Sequence, residues 1–124
     1  MRATRLWTLC AWVMAGWAQA QPAVIYELGG KFDRSFNQAA YQGAERWKAE
    51  TGKPYLEFEV QIAAQREQAA RRFAERGANP IVAIGFPQAT AIETVAKAFP
   101  KQRFAIVDMV VVQPNVQSFV YREH

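Results

Sequence analysis

Short apolar runs alternate with longer amphipathic stretches along most of the chain after residue 22. The first run, over residues 23–28, is apolar except for Glu27, which is typical of a strand buried on both faces of a sheet. The run over 55–62 alternates loosely around two glutamates and predicts a strand nearer the edge of the sheet. Further strands are predicted over 80–85, 103–108 and 116–121.

The stretches between these runs carry apolar residues at helical spacing. Ser35 is a suitable N-cap for the first helix, and Gln38, three residues later, completes a capping box. The apolar stripe of this helix is formed by Phe36, Ala39, Ala40, Gly43, Ala44 and Trp47. Two further helices are predicted over 64–76, ended by Gly77, and over 88–99. Strands alternating with helices predict an α/β fold with an open, mostly parallel sheet and flanking helices.

The two ends of the chain suggest how the protein is organised. Residues 1–20 combine two arginines, an apolar segment and a small-residue cleavage site, which predicts a signal peptide cut before Gln21. Cys10, the single cysteine, lies inside this segment and lacks the setting of a lipid-attachment site. Residues 21–124 form one predicted lobe, and the chain stops directly after its last strand. We therefore expect the lobe to be part of a longer, two-lobed protein.

Charge gives little support for a nucleic-acid partner. The whole chain has a net charge of +4, but without residues 1–20 the balance is 13 basic against 11 acidic side chains. A second helix carries Arg66, Arg71, Arg72 and Arg76 with glutamates between them. This pattern favours a solvated helix face over a phosphate-binding patch.

Candidate binding residues fall at the carboxyl ends of the predicted strands, which meet at one edge of a parallel sheet. Glu27 and Asp108 follow the first and fourth strands, and Gly85 with Phe86 follows the third. The start of the first helix adds Ser35, Phe36 and Asn37. Carboxylates can accept hydrogen bonds from adjacent hydroxyls, an aromatic face can stack on a ring, and an amide can both donate and accept. Asp108 could equally cap a turn, Phe36 could be a core residue, and the glycines could serve only as turns.

Catalytic constellations are absent from the sequence. The only histidine is the last residue, His124, and Cys10 belongs to the predicted signal peptide, so no Ser-His-Asp or Cys-His arrangement is available. Neither a zinc-binding motif nor a glycine-rich phosphate loop occurs. The sequence therefore favours binding of a small molecule without chemistry, and it predicts neither a cofactor nor a metal.

The segment over residues 29–43, Gly-Gly-Lys-Phe-Asp-Arg-Ser-Phe-Asn-Gln-Ala-Ala-Tyr-Gln-Gly, closely resembles the start of the basic membrane protein family. Later segments agree in order and spacing, namely Ile-Gly-Phe at 84–86 and Phe-Pro-Lys-Gln-Arg-Phe-Ala-Ile-Val-Asp at 99–108. Members of that family are substrate-binding proteins of ABC importers, related to the purine nucleoside receptor lipoproteins. The resemblance covers nearly all of residues 23–124.

The resemblance implies a periplasmic-binding fold of type I, in which two α/β lobes close over a ligand. It implies that Phe36 stacks on a nucleobase and that Glu27, Asn37 and Asp108 make polar contacts. It also implies an ABC permease as the partner and a nucleoside-like ligand. The chain departs from the pattern in three ways: Glu27 stands in place of Asp, the second lobe is missing, and no lipid-anchor cysteine is present. The last departure predicts a freely diffusing periplasmic protein.

Two alternatives to an import receptor follow from the same observations. The lobe could belong to a ligand-sensing module in signalling, since receptors of this fold serve in both roles. The chain could also be a truncated fragment without function, because a single lobe leaves its inter-lobe face and sheet edges unpaired.

Overall fold

Residues 20–121 are described by a computed structural model, so all but the last residue of the predicted signal peptide lies outside the described range. The strands are β1 (Ala23–Tyr26), β2 (Leu56–Glu59), β3 (Ile81–Ile84), β4 (Phe104–Val107) and β5 (Val116–Phe119). The helices are α1 (Phe36–Thr51), α2 (Ala64–Glu75) and α3 (Ala89–Ala98), and a short 3-10 turn (Phe86–Gln88) precedes α3. Every predicted strand and helix is therefore present between residues 20 and 121.

The strands form one open sheet in the order β2-β1-β3-β4-β5. All four pairings are parallel, with Ala23 opposite Ile81 and Ala83 opposite Ile106. The predicted α/β fold with a parallel sheet is confirmed, and β2 lies at an edge as expected. This topology brings the carboxyl ends of all five strands to the same edge of the sheet.

The strands are shorter than predicted, and β1 shows the physical reason. The backbone N–H of Glu27 donates to Oδ1 of Asn37 at 3.0 Å instead of to a neighbouring strand. In return, Nδ2 of Asn37 donates to the carbonyl oxygen of Glu27 at 3.0 Å. Because a side chain replaces the strand ladder at this point, β1 ends at Tyr26, one residue before the first candidate site residue.

The main hydrophobic core lies on the face of the sheet that α2 and α3 cover. Alternate strand residues such as Ile25, Ile81 and Ile106 point to this face and are fully buried. The predicted stripe of α2 is also buried there, consisting of Ala69, Ala70, Phe73 and Ala74. Gly77 follows α2 with φ +76°, a left-handed conformation that ends a helix and that glycine adopts without strain.

The opposite face is covered only by α1 among the described helices, and its packing differs from the prediction. Asn37 is the single buried residue of α1, and the predicted core residue Trp47 is partly exposed. Much of the stripe consists of alanine and glycine, whose side chains are too small to fill the space between helix and sheet. A cavity of about 330 Å³ remains there, bordered on the sheet by Val82 and Val107.

The start of α1 is capped, but not by the predicted capping box. Ser35 occupies the N-cap position, yet its side chain makes no capping hydrogen bond. Oδ1 of Asp33 instead accepts the backbone N–H groups of Ser35 and Gln38, at 2.9 and 3.1 Å. Arg34, between Asp33 and Ser35, has φ +61°, so the chain folds back there and sets the Asp33 carboxylate against the first turn of α1. The cap is therefore charged, which favours the positive end of a helix dipole.

Candidate functional site

The candidate residues at the strand ends do lie on one edge of the sheet. Glu27 follows β1, Gly85 follows β3 and Asp108 follows β4, and these three strands are consecutive neighbours. Since neighbouring strands are about 4.8 Å apart, the backbones of Glu27 and Asp108 are separated by roughly 10 Å. Gly85 lies between them, and its N–H donates to the carbonyl oxygen of Val107 at 3.1 Å. The two acids therefore flank one short stretch of the sheet edge.

The carboxylate of Glu27 is already engaged within the protein. The residue is only 9% exposed. Nε of Arg66 in α2 donates to Oε2 at 2.9 Å and to Oε1 at 3.1 Å. The backbone N–H of Leu28 also donates to Oε1, at 2.9 Å. This ion pair was not predicted from the sequence, and Arg66 is therefore not the purely solvated residue that its helix pattern indicated.

The side chain of Asn37 holds the end of β1 in place. It is 2% exposed, and its amide bonds both the N–H and the carbonyl oxygen of Glu27. One further amide hydrogen and one lone pair remain for any ligand contact. The predicted amide contact thus lies beside Glu27 and fixes the end of β1 at the same time.

Asp108 differs from Glu27 in both its backbone and its contacts. Its backbone has φ +72°, an uncommon left-handed conformation for a residue other than glycine. Its N–H donates to the carbonyl oxygen of Phe119 at 2.8 Å, which extends the pairing of β4 with β5. Within residues 20–121 its carboxylate has neither a hydrogen-bond donor nor a cationic partner. A half-buried aspartate whose carboxylate has no partner in this range, on a strained backbone at a strand end, is a candidate ligand contact.

Two aromatic rings lie near the start of α1, by the cavity that Val107 also borders. Phe36, the first residue of α1, is 38% exposed and borders the cavity under α1 together with Val107. The ring of Tyr121 lies 5.7 Å from the Phe36 ring, centroid to centroid, at an interplanar angle of 31°. Tyr121 was predicted only as the end of a strand, so its pairing with Phe36 is a contact that sequence reasoning missed. Ser35 and Phe86 are both exposed at the same edge.

The loop between β1 and α1 is tied to the edge strand β2 by Lys31. Its Nζ lies 2.6 Å from Oε1 of Glu57, and its backbone N–H donates to Oε1 of Glu59 at 3.0 Å. The hydrogen bond to Glu57 raises the pKa of Lys31 above its usual value. The same ammonium lies 5.0 Å from the centre of the Tyr41 ring. These contacts hold the loop in place next to the candidate site.

Gln88 is a further buried polar residue near the strand ends that the sequence did not single out. It is fully buried, and its Nε2 donates to the carbonyl oxygens of Ile25 and Ile84 at 2.8 and 2.9 Å. The two carbonyls belong to the adjacent strands β1 and β3, so the amide links these strands just before their ends. A glutamine directly before an apolar helix was the available signal.

Exposed apolar side chains collect around the same edge of the sheet. Nearly all the large ones follow a strand or begin α1 rather than lying along a helix face. They are Leu28, Phe32, Phe36, Ile62, Phe86, Met109, Val110, Val120 and Tyr121. We call this set the apolar rim. Large apolar side chains left exposed at one edge of a sheet are typical of an interaction or ligand-binding face.

The described residues offer neither a metal site nor a membrane span. Between residues 20 and 121, no group of three or more histidine, cysteine, aspartate or glutamate side chains is arranged to hold a metal ion. None of the helices in this range combines the length and apolar character needed to cross a membrane.

Comparison with known proteins identifies the family. The family model for PnrA-like ABC transporter substrate-binding proteins (Bmp) matches residues 22–124. An uncharacterized lipoprotein of Pyrococcus furiosus is 36% identical over 107 residues, which cover 82% of this chain and 26% of the relative. The ABC transporter nucleoside-binding protein BmpA of Lactococcus lactis is 32% identical, with 82% of this chain and 30% of the relative covered. The chain thus spans between a quarter and a third of these two relatives.

Solved structures agree with this assignment. ABC transporter solute-binding proteins from Aeropyrum pernix and Conexibacter woesei superpose with TM-scores of 0.78 and 0.71, each at 30% identity. The superposition covers 85% of this chain and 29% of the first structure, and 82% of this chain and 35% of the second.

The names of several relatives bear on the predicted location. Relatives from Pyrococcus furiosus, Pyrococcus horikoshii and Pyrococcus abyssi are called lipoproteins, which conflicts with the prediction of a protein without a lipid anchor. A solute-binding family fits the predicted periplasmic location. The family resemblance predicted from the sequence is confirmed: this chain belongs to the Bmp family of PnrA-like ABC transporter substrate-binding proteins.

Proposed function

We propose that this chain is a ligand-binding lobe of a periplasmic solute-binding protein that delivers a purine nucleoside, or a closely related small molecule, to an ABC permease. The observation that carries the proposal is the position of Asp108: its carboxylate has no partner among residues 20–121, and it directly follows Val107, which borders the cavity under α1 together with Phe36. An acceptor beside a flat apolar face suits a ligand that has vicinal hydroxyls at one end and an aromatic ring at the other.

Polar recognition on this lobe would depend mainly on Asp108. Its free carboxylate can accept two hydrogen bonds from adjacent ribose hydroxyls, and the left-handed backbone fixes its direction. Ser35 adds a hydroxyl at the start of α1, and the remaining donor of Asn37 lies beside the end of β1. The word nucleoside in the name of the Lactococcus lactis relative supports this ligand class.

Phe36 would supply the stacking surface. The centre of its ring lies 5.7 Å from the centre of the Tyr121 ring, so a base would either stack on the Phe36 ring beside Tyr121 or take the place of Tyr121. Phe86, 62% exposed and next to Gly85, offers a second apolar surface at the strand ends.

Transport would use closure of two lobes, of which this chain provides one. The apolar rim is the surface on which a second lobe would close, because it surrounds the candidate site and remains exposed. A ligand that contacts both lobes stabilises the closed form through its greater affinity for that form. This mechanism requires binding and release only, so we propose no catalytic role.

The proposal can be tested by NMR titration of the purified protein with inosine. We expect millimolar affinity for the single lobe, with the largest amide shifts near Phe36, Gly85 and Asp108. Asp108→Asn and Phe36→Ala are each expected to weaken binding at least tenfold. Glu50→Gln, an exposed acid near the far end of α1, is the matched control and should bind as the unaltered protein does.

Two outcomes would contradict the proposal. Unchanged affinity in both site variants would remove these residues from the binding site. Shift changes confined to the opposite edge of the sheet would place the ligand elsewhere.

A further inference from the structure

The strand-end acid Glu27 is largely buried, and its polar groups are bonded within the protein. Its backbone is bonded to Asn37, its carboxylate to Arg66 and to the N–H of Leu28. Oε1 accepts two hydrogen bonds and Oε2 accepts one, of about four acceptor positions on a carboxylate. The side chain of Glu27 is 11% exposed and that of Arg66 is 20% exposed, so the pair is largely removed from water.

The length of the glutamate side chain makes this pairing possible. Asn37 fixes the backbone of Glu27, while Arg66 belongs to α2 on the other side of the sheet from α1. The side chain of Glu27 must therefore reach from the end of β1 towards α2. It passes close to Gly85: a Cβ added to Gly85 would lie 3.3 Å from the Cβ of Glu27. An aspartate, one methylene shorter, would bring its carboxylate less far towards Arg66.

The ion pair changes the charge of the candidate site. Glu27 and Arg66 neutralise each other, whereas Asp108 has no cationic partner among residues 20–121. Of Glu27 and Asp108, only Asp108 lacks a cationic partner among residues 20–121. A single anionic acceptor suits a neutral ligand with hydroxyl groups, while two anionic acceptors would favour a cationic one.

We infer that Arg66 is a specificity-determining positioning residue, which acts by drawing Glu27 out of ligand contact. Glu27 then serves as a bridge between β1 and α2, and Asp108 is the one charged ligand contact of this lobe. The result is selection of neutral over cationic nucleoside-like ligands. The selectivity part of this inference rests on the proposed function, whereas the bridging part does not.

The bridge is tested by thermal melting of the purified protein and of Arg66→Met, Glu27→Gln and the double variant. Arg66→Met leaves a buried carboxylate without a cation and should lower the melting temperature by at least about 5 °C. The double variant should recover at least half of that loss, because it removes both charges together. Arg71→Met, which breaks only the exposed pair with Glu67, is the control and should shift melting by less than about 2 °C.

Additive losses in the double variant would overturn the bridge, because they would show that the two side chains do not interact. If Arg66→Met fails to fold, Arg66→Lys replaces it in the same cycle. This variant keeps the charge but loses the guanidinium, and it should lie between the unaltered protein and the loss expected for Arg66→Met. Arg66→Lys keeps an ion pair with Glu27, whereas Glu27→Gln removes that pair. A melting temperature of Arg66→Lys below that of Glu27→Gln would therefore contradict the inference.

Selectivity is tested by titrating adenosine and 5′-amino-5′-deoxyadenosine, which share a base and differ by one positive charge. Arg66→Met should shift the ratio of the two dissociation constants about sixfold towards the cationic ligand. This is the size expected for unit charges roughly 10 Å apart at an effective dielectric constant of about 30. Arg71→Met should leave the ratio unchanged, which separates a local change of charge from a general effect of removing an arginine.

Each remaining outcome counts against a defined part of the inference. An unchanged ratio in Arg66→Met would refute the role of Arg66 in specificity. Absence of binding of either nucleoside to the unaltered protein would refute the proposed function and the selectivity with it, and the melting cycle would then judge the bridge separately.

Discussion

Replacement of Gly85 by alanine probes the strand end on which the candidate site is built. Gly85 has φ +105° and ψ 142°, a conformation that side chains with a Cβ rarely adopt. A methyl group here would lie 3.3 Å from Cβ of Glu27 and 3.5 Å from both Cγ of Glu27 and Cδ of Pro87. Backbone strain and a tight contact therefore act together at this position.

The expected cost follows from these two effects. A non-glycine residue held in a sparsely populated backbone region costs about 1–3 kcal/mol. The contact adds to this because Glu27 cannot easily move: Asn37 holds its backbone and Arg66 holds its carboxylate. We expect Gly85→Ala to lower the free energy of unfolding by about 2–4 kcal/mol. For a domain of this size, that loss corresponds to a fall in melting temperature of about 10–20 °C.

Urea denaturation of the purified protein and of two alanine variants measures this effect. Gly43→Ala is the matched control, since Gly43 lies in α1 and a Cβ there meets nothing within 4 Å. It should stabilise the protein by about 0.5–1 kcal/mol, because alanine is the better helix residue. A Gly85→Ala variant that unfolds within about 0.5 kcal/mol of the unaltered protein would refute the reasoning, since neither the backbone strain nor the tight contact would then be present.

Three further predictions concern other parts of the chain. Asp33→Ala should cost about 1 kcal/mol in urea denaturation by uncapping α1, whereas Ser35→Ala should cost much less; equal losses would contradict the assigned cap. Intact-mass measurement of the exported protein should give an N-terminus at Gln21, and a lipid-modified Cys10 would disprove the predicted processing. Burial raises the pKa of Tyr26, so the folded state keeps its proton above pH 10 while the unfolded state loses it. Stability should therefore fall as the pH rises above about 10, less steeply in Tyr26→Phe, and equal slopes in alkaline urea titrations would refute this.

The fold could be predicted from the sequence because its signals are local. Apolar runs such as Ile81–Ile84 and the stripe of α2 have periods that hardly depend on the rest of the chain. The strand-end positions of Glu27 and Asp108 then followed from parallel topology alone. The partial burial of α1 was not predictable in this way. Ala40 and Ala44 have the spacing of a helix face that packs on a sheet, but their side chains are too small to fill the space between helix and sheet.

The details of the site depend on contacts between distant residues. Arg66 is 39 positions from Glu27, and its own neighbours in α2 predicted a solvated face. The one available signal was the charge of Glu27 within an apolar strand, because a buried carboxylate requires a partner. That argument shows that a partner exists but does not select Arg66 among the arginines of the helix. The cap by Asp33 was missed for a related reason, since it depends on the left-handed turn at Arg34.

Internal bonds hold the carboxylate of Glu27 in place but leave that of Asp108 without a partner among residues 20–121. This difference bears on how a ligand could be recognised. Glu27 is fixed by Asn37 and Arg66 and passes close to Gly85, so its position cannot adjust to a ligand. Asp108 is held at its backbone by one hydrogen bond to Phe119, and its carboxylate has no partner among residues 20–121. An acceptor that makes no internal bonds gives up only water when a ligand hydroxyl arrives, whereas Glu27 would first have to break a charge-assisted pair. Ligand contact therefore costs less at Asp108, and changes at Arg66 would alter specificity by lowering that cost at Glu27.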